Sequence, residues 1–133
     1  MKPVTKILVV DDDAPIRDFV RATLEGEGYK VITAENGLVA LQLLGGEVPY
    51  QPDIILLDMR MPIVDGWEFA QTYRKSPGKK VPIIVLTAAT DPARFAAQIK
   101  ADNYLPKPFD LMDLLDMVEK FTAGRANKIW DID

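Results

Sequence analysis

The chain of 133 residues contains no cysteine and no histidine. Without cysteine there is no disulfide, thiolate metal site or cysteine nucleophile. Without histidine there is no Ser-His-Asp triad, no zinc–imidazole site and no residue to carry a phosphohistidine. No apolar run is long enough to span a bilayer, and the first residues lack a signal peptide's apolar stretch, so a cytoplasmic protein is expected. Positive charge is also scarce. Sixteen Lys and Arg against twenty Asp and Glu leave a net charge of −4, which argues against nonspecific nucleic-acid binding. What remains is an ordinary globular composition, 48% hydrophobic and 27% charged, at a length that suits one domain with its own core.

Short β-type segments alternate with helical ones along the whole chain. Lys6 to Val10, "YKVITA", "PDIILLD", "VPIIVLTA" and the weaker "NYLPK" read as strands. The third and fourth are apolar on both faces, as in the middle of a parallel sheet covered by helices on each side. The first helix has Pro15 in its first turn and Ile16, Phe19, Val20 and Leu24 on one face; Gly28 can take a left-handed position after it. "NGLVALQLLGG" and "DGWEFAQTYRK" are the next two helices. "TDPARFAAQIKA" opens with Thr90 or Asp91 as its cap. "DLMDLLDMVEKF" points Leu111, Leu114, Leu115 and Val118 inward. This alternation predicts an α/β sandwich on a five-stranded parallel sheet. "RANKIWDID" falls outside the pattern and is read as a continuation of the last helix, a segment docked through Ile129 and Trp130, or the start of a linker.

In such sheets ligands bind beyond the carboxyl ends of the strands. The first strand runs into Asp11, Asp12 and Asp13, the third ends in Asp58, the fourth in Thr87 and the fifth near Lys107. Singly, each has an ordinary explanation: a solvated turn with a helix cap, a loop start, a strand residue, a surface lysine. Jointly, they put carboxylates, a hydroxyl and an ammonium at one edge. Oxygen donors without histidine or cysteine suit a hard divalent ion, Mg²⁺ first. A carboxylate beside such an ion can attack a phosphoryl group and form an aspartyl phosphate, with metal and lysine neutralising charge on the transferring oxygens. The crowding of three aspartates against an apolar strand is explained by a metal site.

With these residues in order, the chain resembles the receiver domain of two-component response regulators. The resemblance rests on "ILVVDDD", "PDIILLDMRMPIVDG", "IIVLTA" and "YLPKPF" and covers about residues 5 to 122. It implies a flavodoxin-like three-layer sandwich with five helices and strand order 2-1-3-4-5, the order of chemotaxis receivers. It divides the chain into a receiver, 1 to 124, and a tail or linker start, 125 to 133. It implies that Asp58 is the phosphoacceptor, that Asp12 and, largely through water, Asp11 hold Mg²⁺ with Asp58 and the backbone carbonyl of Arg60, and that Mn²⁺ is a substitute ion. Lys107 would contact the phosphoryl group, with a cis bond to Pro108. Thr87 and Tyr104 would form the switch pair, and Asp13 would be a bystander near the helix start. The side chains of Arg60 and Ala89, each two residues past a strand-end site residue, would flank the water that removes the phosphate.

The partners implied are a histidine kinase or histidine phosphotransfer protein and a downstream protein on the face of the fourth helix, fifth strand and fifth helix. No nucleic acid or membrane is expected, and the chain should be a monomer or weak dimer. Two other readings compete: a degenerate receiver that only binds, and a Mg²⁺-dependent phosphohydrolase with an aspartyl nucleophile. The latter's usual second acid falls at Arg60, which cannot be an acid–base catalyst. A dinucleotide-binding unit is disfavoured because "DDDAPIR" stands where its glycine-rich loop belongs. The chain also departs from the family. Lys100 replaces a common glycine and removes an easy left-handed cap, "GGEVPYQPD" is a long connection, and the last helix lacks an "ELxAR"-type pattern.

Overall fold

A computed structural model describes residues 4–130; of residues 123–130 it describes the backbone alone. The elements are β1 (Lys6–Val10), α1 (Ala14–Gly26), β2 (Lys30–Ala34), α2 (Gly37–Gly45), β3 (Ile54–Asp58), α3 (Gly66–Lys75), β4 (Ile83–Thr87), α4 (Pro92–Gln98), β5 (Asn103–Pro106) and α5 (Leu111–Trp130). The strands form one sheet in the order β2-β1-β3-β4-β5, and every neighbouring pair is parallel. All carboxyl ends therefore share one edge. The predicted fold is the observed one.

Alternation along the central strands divides the core in two. Leu8, Val10, Ile55, Leu57, Ile83 and Val85 face α2, α3 and α4 through Ala40, Phe69, Tyr73 and Ala96. Ile7, Val9, Ile54, Leu56, Ile84 and Leu86 face α1 and α5 through Val20, Leu24, Leu114 and Val118. Both faces are dry because a parallel sheet must be covered on each side.

Two inward expectations are corrected. Leu111 is exposed (43%), as the first residue of α5; the buried stripe begins at Leu114, after Asp110 Oδ1 has accepted the Asp113 N–H at 2.8 Å. Phe19 is equally exposed and meets Phe109 at the rim, ring centroids 6.4 Å apart. Asp91, rather than Thr90, caps α4. Helix α5 runs through Gly124 to Trp130, in keeping with one of the three readings of that segment; docking by the Ile129 and Trp130 side chains lies outside the described residues.

Lys100 takes the left-handed conformation, φ 56°, although it is not glycine. The Ala101 N–H bonds Ala96 O at 2.8 Å and the Lys100 N–H bonds Ala97 O at 3.2 Å. This is the same closing turn that Gly28 makes after α1 at φ 91°, and it satisfies carbonyls that a helix end leaves bare.

Candidate functional site

Acids crowd the carboxyl edge of the sheet, and their hydrogen bonds sort them by role. Asp13 Oδ1 accepts from Ile16 N at 3.2 Å, Asp65 Oδ1 from Glu68 N at 2.9 Å and Asp91 Oδ1 from Arg94 N at 3.3 Å. With Asp110, these are helix caps, occupied by the orphan amides of the first turns. Asp11, Asp12 and Asp58 cap no helix among the described residues, although Asp11 Oδ1 accepts from Asp13 N at 2.9 Å. Each offers a carboxylate oxygen within 4.8 Å of the others.

Asp11 is fully buried just past β1, and Asp58, the last residue of β3, is 7% exposed. Asp12 is exposed at the mouth. The parallel register carries β1 and β3 side by side, Val10 opposite Leu57, so the next residues on each strand deliver the two buried acids together. Lys107 arrives from beyond β5. Its Nζ lies 2.9 Å from Asp11 Oδ2 and 3.4 Å from Asp58 Oδ1. Its backbone N–H donates to Thr87 O at 2.7 Å, which ties the lysine to the end of β4. The Lys107–Pro108 bond is cis, as the resemblance implied.

Burial and the neighbouring Asp11 charge push the Asp58 carboxyl up to about 6, with Lys107 pulling the other way and Asp12 adding to the rise. Burial pulls the Lys107 ammonium down, but its hydrogen bond and charge contact with Asp11, and the charge of Asp58, outweigh that and leave it raised. Two carboxylates this close favour a shared cation. The ammonium supplies part of that charge; the hard oxygen donors suit a divalent ion for the rest.

Three loop features that the sequence did not reveal shape the site. Arg17 Nη1 donates to Asp11 O at 2.8 Å and braces the turn after β1. Gly66 and Gly37 admit the loop that follows Asp58. A Cβ on Gly66 would stand 2.7 Å from Met59 Cα and 2.9 Å from Asp58 O, and one on Gly37 would stand 2.6 Å from Val64 O. The same loop holds the exposed Ile63 at φ 72°, a strained conformation for a β-branched residue. "DG" and "NG" signal turns in the sequence, but not close approach.

The remaining candidates lie around this cluster. Thr87 is buried at the end of β4, and its Oγ1 accepts from Ala89 N at 3.1 Å. Ala89 is half-buried. Tyr104 lies half-buried on β5, opposite Val85, against the core on the α2–α4 side. The Arg60 side chain is exposed, and among the described residues it joins no ion pair.

Residues 7–119 match the model of the response regulator receiver domain. The chain belongs to this family. It is 43% identical over 112 residues to the response regulator MprA of Mycobacterium sp. strain KMS, an alignment covering 83% of this chain and 47% of the relative. The chain thus spans about half the length of that relative. Among solved structures it is similar to the chemotaxis protein CheY4 of Vibrio cholerae, with a TM-score of 0.79, 34% identity, and coverage of 90% of this chain and 99% of that one. The response regulator TrrA of Thermotoga maritima, solved in complex with Mg²⁺-BeF, gives a TM-score of 0.76 at 36% identity, covering 89% of this chain and 99% of that one. This chain is therefore a receiver domain of the two-component type, a signalling switch whose acidic cluster suits phosphorylation and metal binding. Among the described residues no helix is long and apolar enough to cross a membrane.

Proposed function

We propose that Asp58 takes a phosphoryl group from a phosphohistidine on a histidine kinase or phosphotransfer protein, and that this transfer sets the face used by a downstream partner. A carboxylate oxygen of Asp58 forms the new bond to phosphorus, the phosphorus–nitrogen bond breaks, and the departing imidazole of the donor keeps the electron pair and is protonated. One observation carries the reading. Asp58 is a buried acid with a carboxylate oxygen within 4.8 Å of those of Asp11 and Asp12 and with an ammonium 3.4 Å away. Such a carboxylate is poorly solvated and faces a positive group suited to phosphoryl oxygens.

Asp11, Asp12, Asp58 and the backbone carbonyl of Arg60 would hold Mg²⁺, with Mn²⁺ as a substitute. The ion would supply charge neutralisation on the phosphoryl oxygens. The Mg²⁺-BeF complex of TrrA supports this assignment by analogy. Lys107 would hold one phosphoryl oxygen. Thr87 Oγ1 now accepts a bond from Ala89 N, so its own proton is free to go to another. That shift would open room for the Tyr104 ring and alter the surface of α4, β5 and α5. The Arg60 and Ala89 side chains would flank the water that ends the signal.

We read residues 1–124 as the receiver and 125–133 as a tail or linker start. The chain would work in the cytoplasm as a monomer or weak dimer, with no nucleic-acid contact of its own. Intact-mass measurement after incubation with acetyl phosphate and Mg²⁺ tests the reading. Wild type should gain one phosphoryl group, and Asp58→Asn or chelated wild type should gain none. Equal modification of Asp58→Asn would refute it.

A further inference from the structure

Helix α4 is the shortest of the helices that cover the sheet. It has seven residues, and Ala96 is its one buried residue. A groove of about 480 Å³ lies between it and α3, with Trp67, Arg74, Gln98 and Lys100 in its walls. Long side chains of α3 cross that groove at two levels. The Trp67 ring meets Phe95 edge-on, centroids 5.2 Å apart, and Trp67 Nε1 donates to Gln98 Oε1 at 3.1 Å. At the far end, Arg74 Nε donates to Ile99 O at 3.1 Å and Arg74 Nη2 to Lys100 O at 2.6 Å.

Those two carbonyls belong to the closing turn of α4, where Lys100 sits left-handed without being glycine. A side-chain-bearing residue there disfavours the turn. The guanidinium offsets that cost, since its planar fork can serve two acceptors and its charge suits a helix carboxyl end. The other end of α4 is capped by Asp91, four residues past Thr87. Any turn of Thr87 toward Asp58 must give up the bond from Ala89 N and pull on the short connection to α4. A helix fixed at its far end resists that pull.

We propose that Arg74 is a positioning residue for the switch: by clamping the carboxyl end of α4 to α3 it favours the arrangement in which Thr87 bonds Ala89, and so sets how readily modification of Asp58 redirects Thr87. The proposal rests on the phosphoacceptor reading above. It makes Arg74, which touches none of the reacting atoms, a determinant of the gain of the switch. Linkage requires that loosening the clamp and loading Asp58 reinforce each other by the same factor.

The test compares wild type, Arg74→Ala and Arg74→Lys by amide hydrogen exchange, Trp67 emission and affinity for beryllofluoride with Mg²⁺. In Arg74→Ala the amides of Ile99, Lys100 and Ala101, each bonded to an α4 carbonyl, should exchange about tenfold faster, while those of Ile55 to Leu57 stay as in wild type. Its Trp67 emission should move toward that of beryllofluoride-loaded wild type, and beryllofluoride should bind about threefold more tightly. Arg74→Lys keeps the charge without the fork and should fall between. A merely structural role would weaken beryllofluoride binding or leave it alone. Unchanged exchange at 99–101 in both variants, or faster exchange with unchanged or weaker beryllofluoride affinity, overturns the proposal. If wild type takes up neither phosphoryl group nor beryllofluoride, the phosphoacceptor reading fails and the switch role falls with it; the exchange difference separately shows whether the clamp holds α4.

Discussion

The Lys107 ammonium is drawn closer to Asp11, at 2.9 Å, than to Asp58, at 3.4 Å. The bond spans 96 positions of sequence. The ammonium thus sits against Asp11, while burial and the Asp11 charge push the Asp58 carboxyl up to about 6.

That asymmetry has a pH signature in chelated protein. Folded Asp58 holds its proton up to about pH 6, against an ordinary value of 3.8. The group therefore favours folding below about pH 4, and this contribution is lost as pH rises through 6. Allowing for solvent screening, the loss is about 1–2 kcal/mol. Urea unfolding in EDTA across pH 4 to 8 should show it in wild type and not in Asp58→Asn. Lys107→Met should move the window higher, because a stabilising charge is gone. Identical slopes in wild type and Asp58→Asn would remove Asp58 from the account.

Asp12 and Asp13 are neighbours with different duties. Asp12 joins the carboxylate cluster, while Asp13 caps α1. Asp12→Asn should weaken Mg²⁺ binding by about tenfold or more, as loss of an anionic oxygen at a hard-ion site. Asp13→Asn should change it by about twofold at most, since Asn caps as well and a rim charge is screened. Trp67 fluorescence during Mg²⁺ titration reads both; matched affinities would contradict the division.

Gly66 leaves no room for a side chain beside the phosphoacceptor loop. Its missing Cβ would fall 2.7 Å from Met59 Sδ as well as from the Met59 Cα. Gly66→Ala should destabilise the domain by about 1–3 kcal/mol, the usual cost of overpacking. It should also slow phosphorylation by acetyl phosphate in the fraction that remains folded. Wild-type stability by thermal unfolding would show that the loop yields freely.

Arg60 bears on signal lifetime. Its side chain is exposed and can swing over the phosphoryl group, crowding water without serving as a base. Half-buried Ala89 leaves the other flank open. Arg60→Asn should speed phosphate loss by about two- to fivefold, under 1 kcal/mol of barrier, and Arg60→Ala at least as much. A phosphate sensor following release from the phosphorylated domain measures it; slower or unaltered release in both variants would show that Arg60 does not guard the bond.

The parts of this molecule that could be read from sequence are those with a period or a boundary. Apolar runs such as "IILLD" and "IIVLT" marked the strands, and their polar ends marked Asp58 and Thr87. Leu111 misled because a helical period cannot say which turn first reaches the core. Lys100 is a poor left-handed residue by its side chain, yet it takes that conformation with Arg74 bonded to its carbonyl. Nothing in the sequence points to that bond. Its acceptors are main-chain carbonyls 25 and 26 residues away, and a carbonyl has no letter of its own. Arg17 on Asp11 O was hidden for the same reason.

The last strand bears on how the domain behaves at high concentration. Strand β5 pairs with β4 and forms one margin of the sheet, the kind of margin on which a foreign strand can assemble. It is four residues long. The Tyr104 amide is already given to the Asn103 side chain at 2.8 Å, and Pro106 and Pro108 have no amide hydrogen. An incoming chain would find few donors to grip and would be turned aside by the prolines. The segment that brings Lys107 to the acids thus also blunts the sheet against aggregation by strand addition on that side.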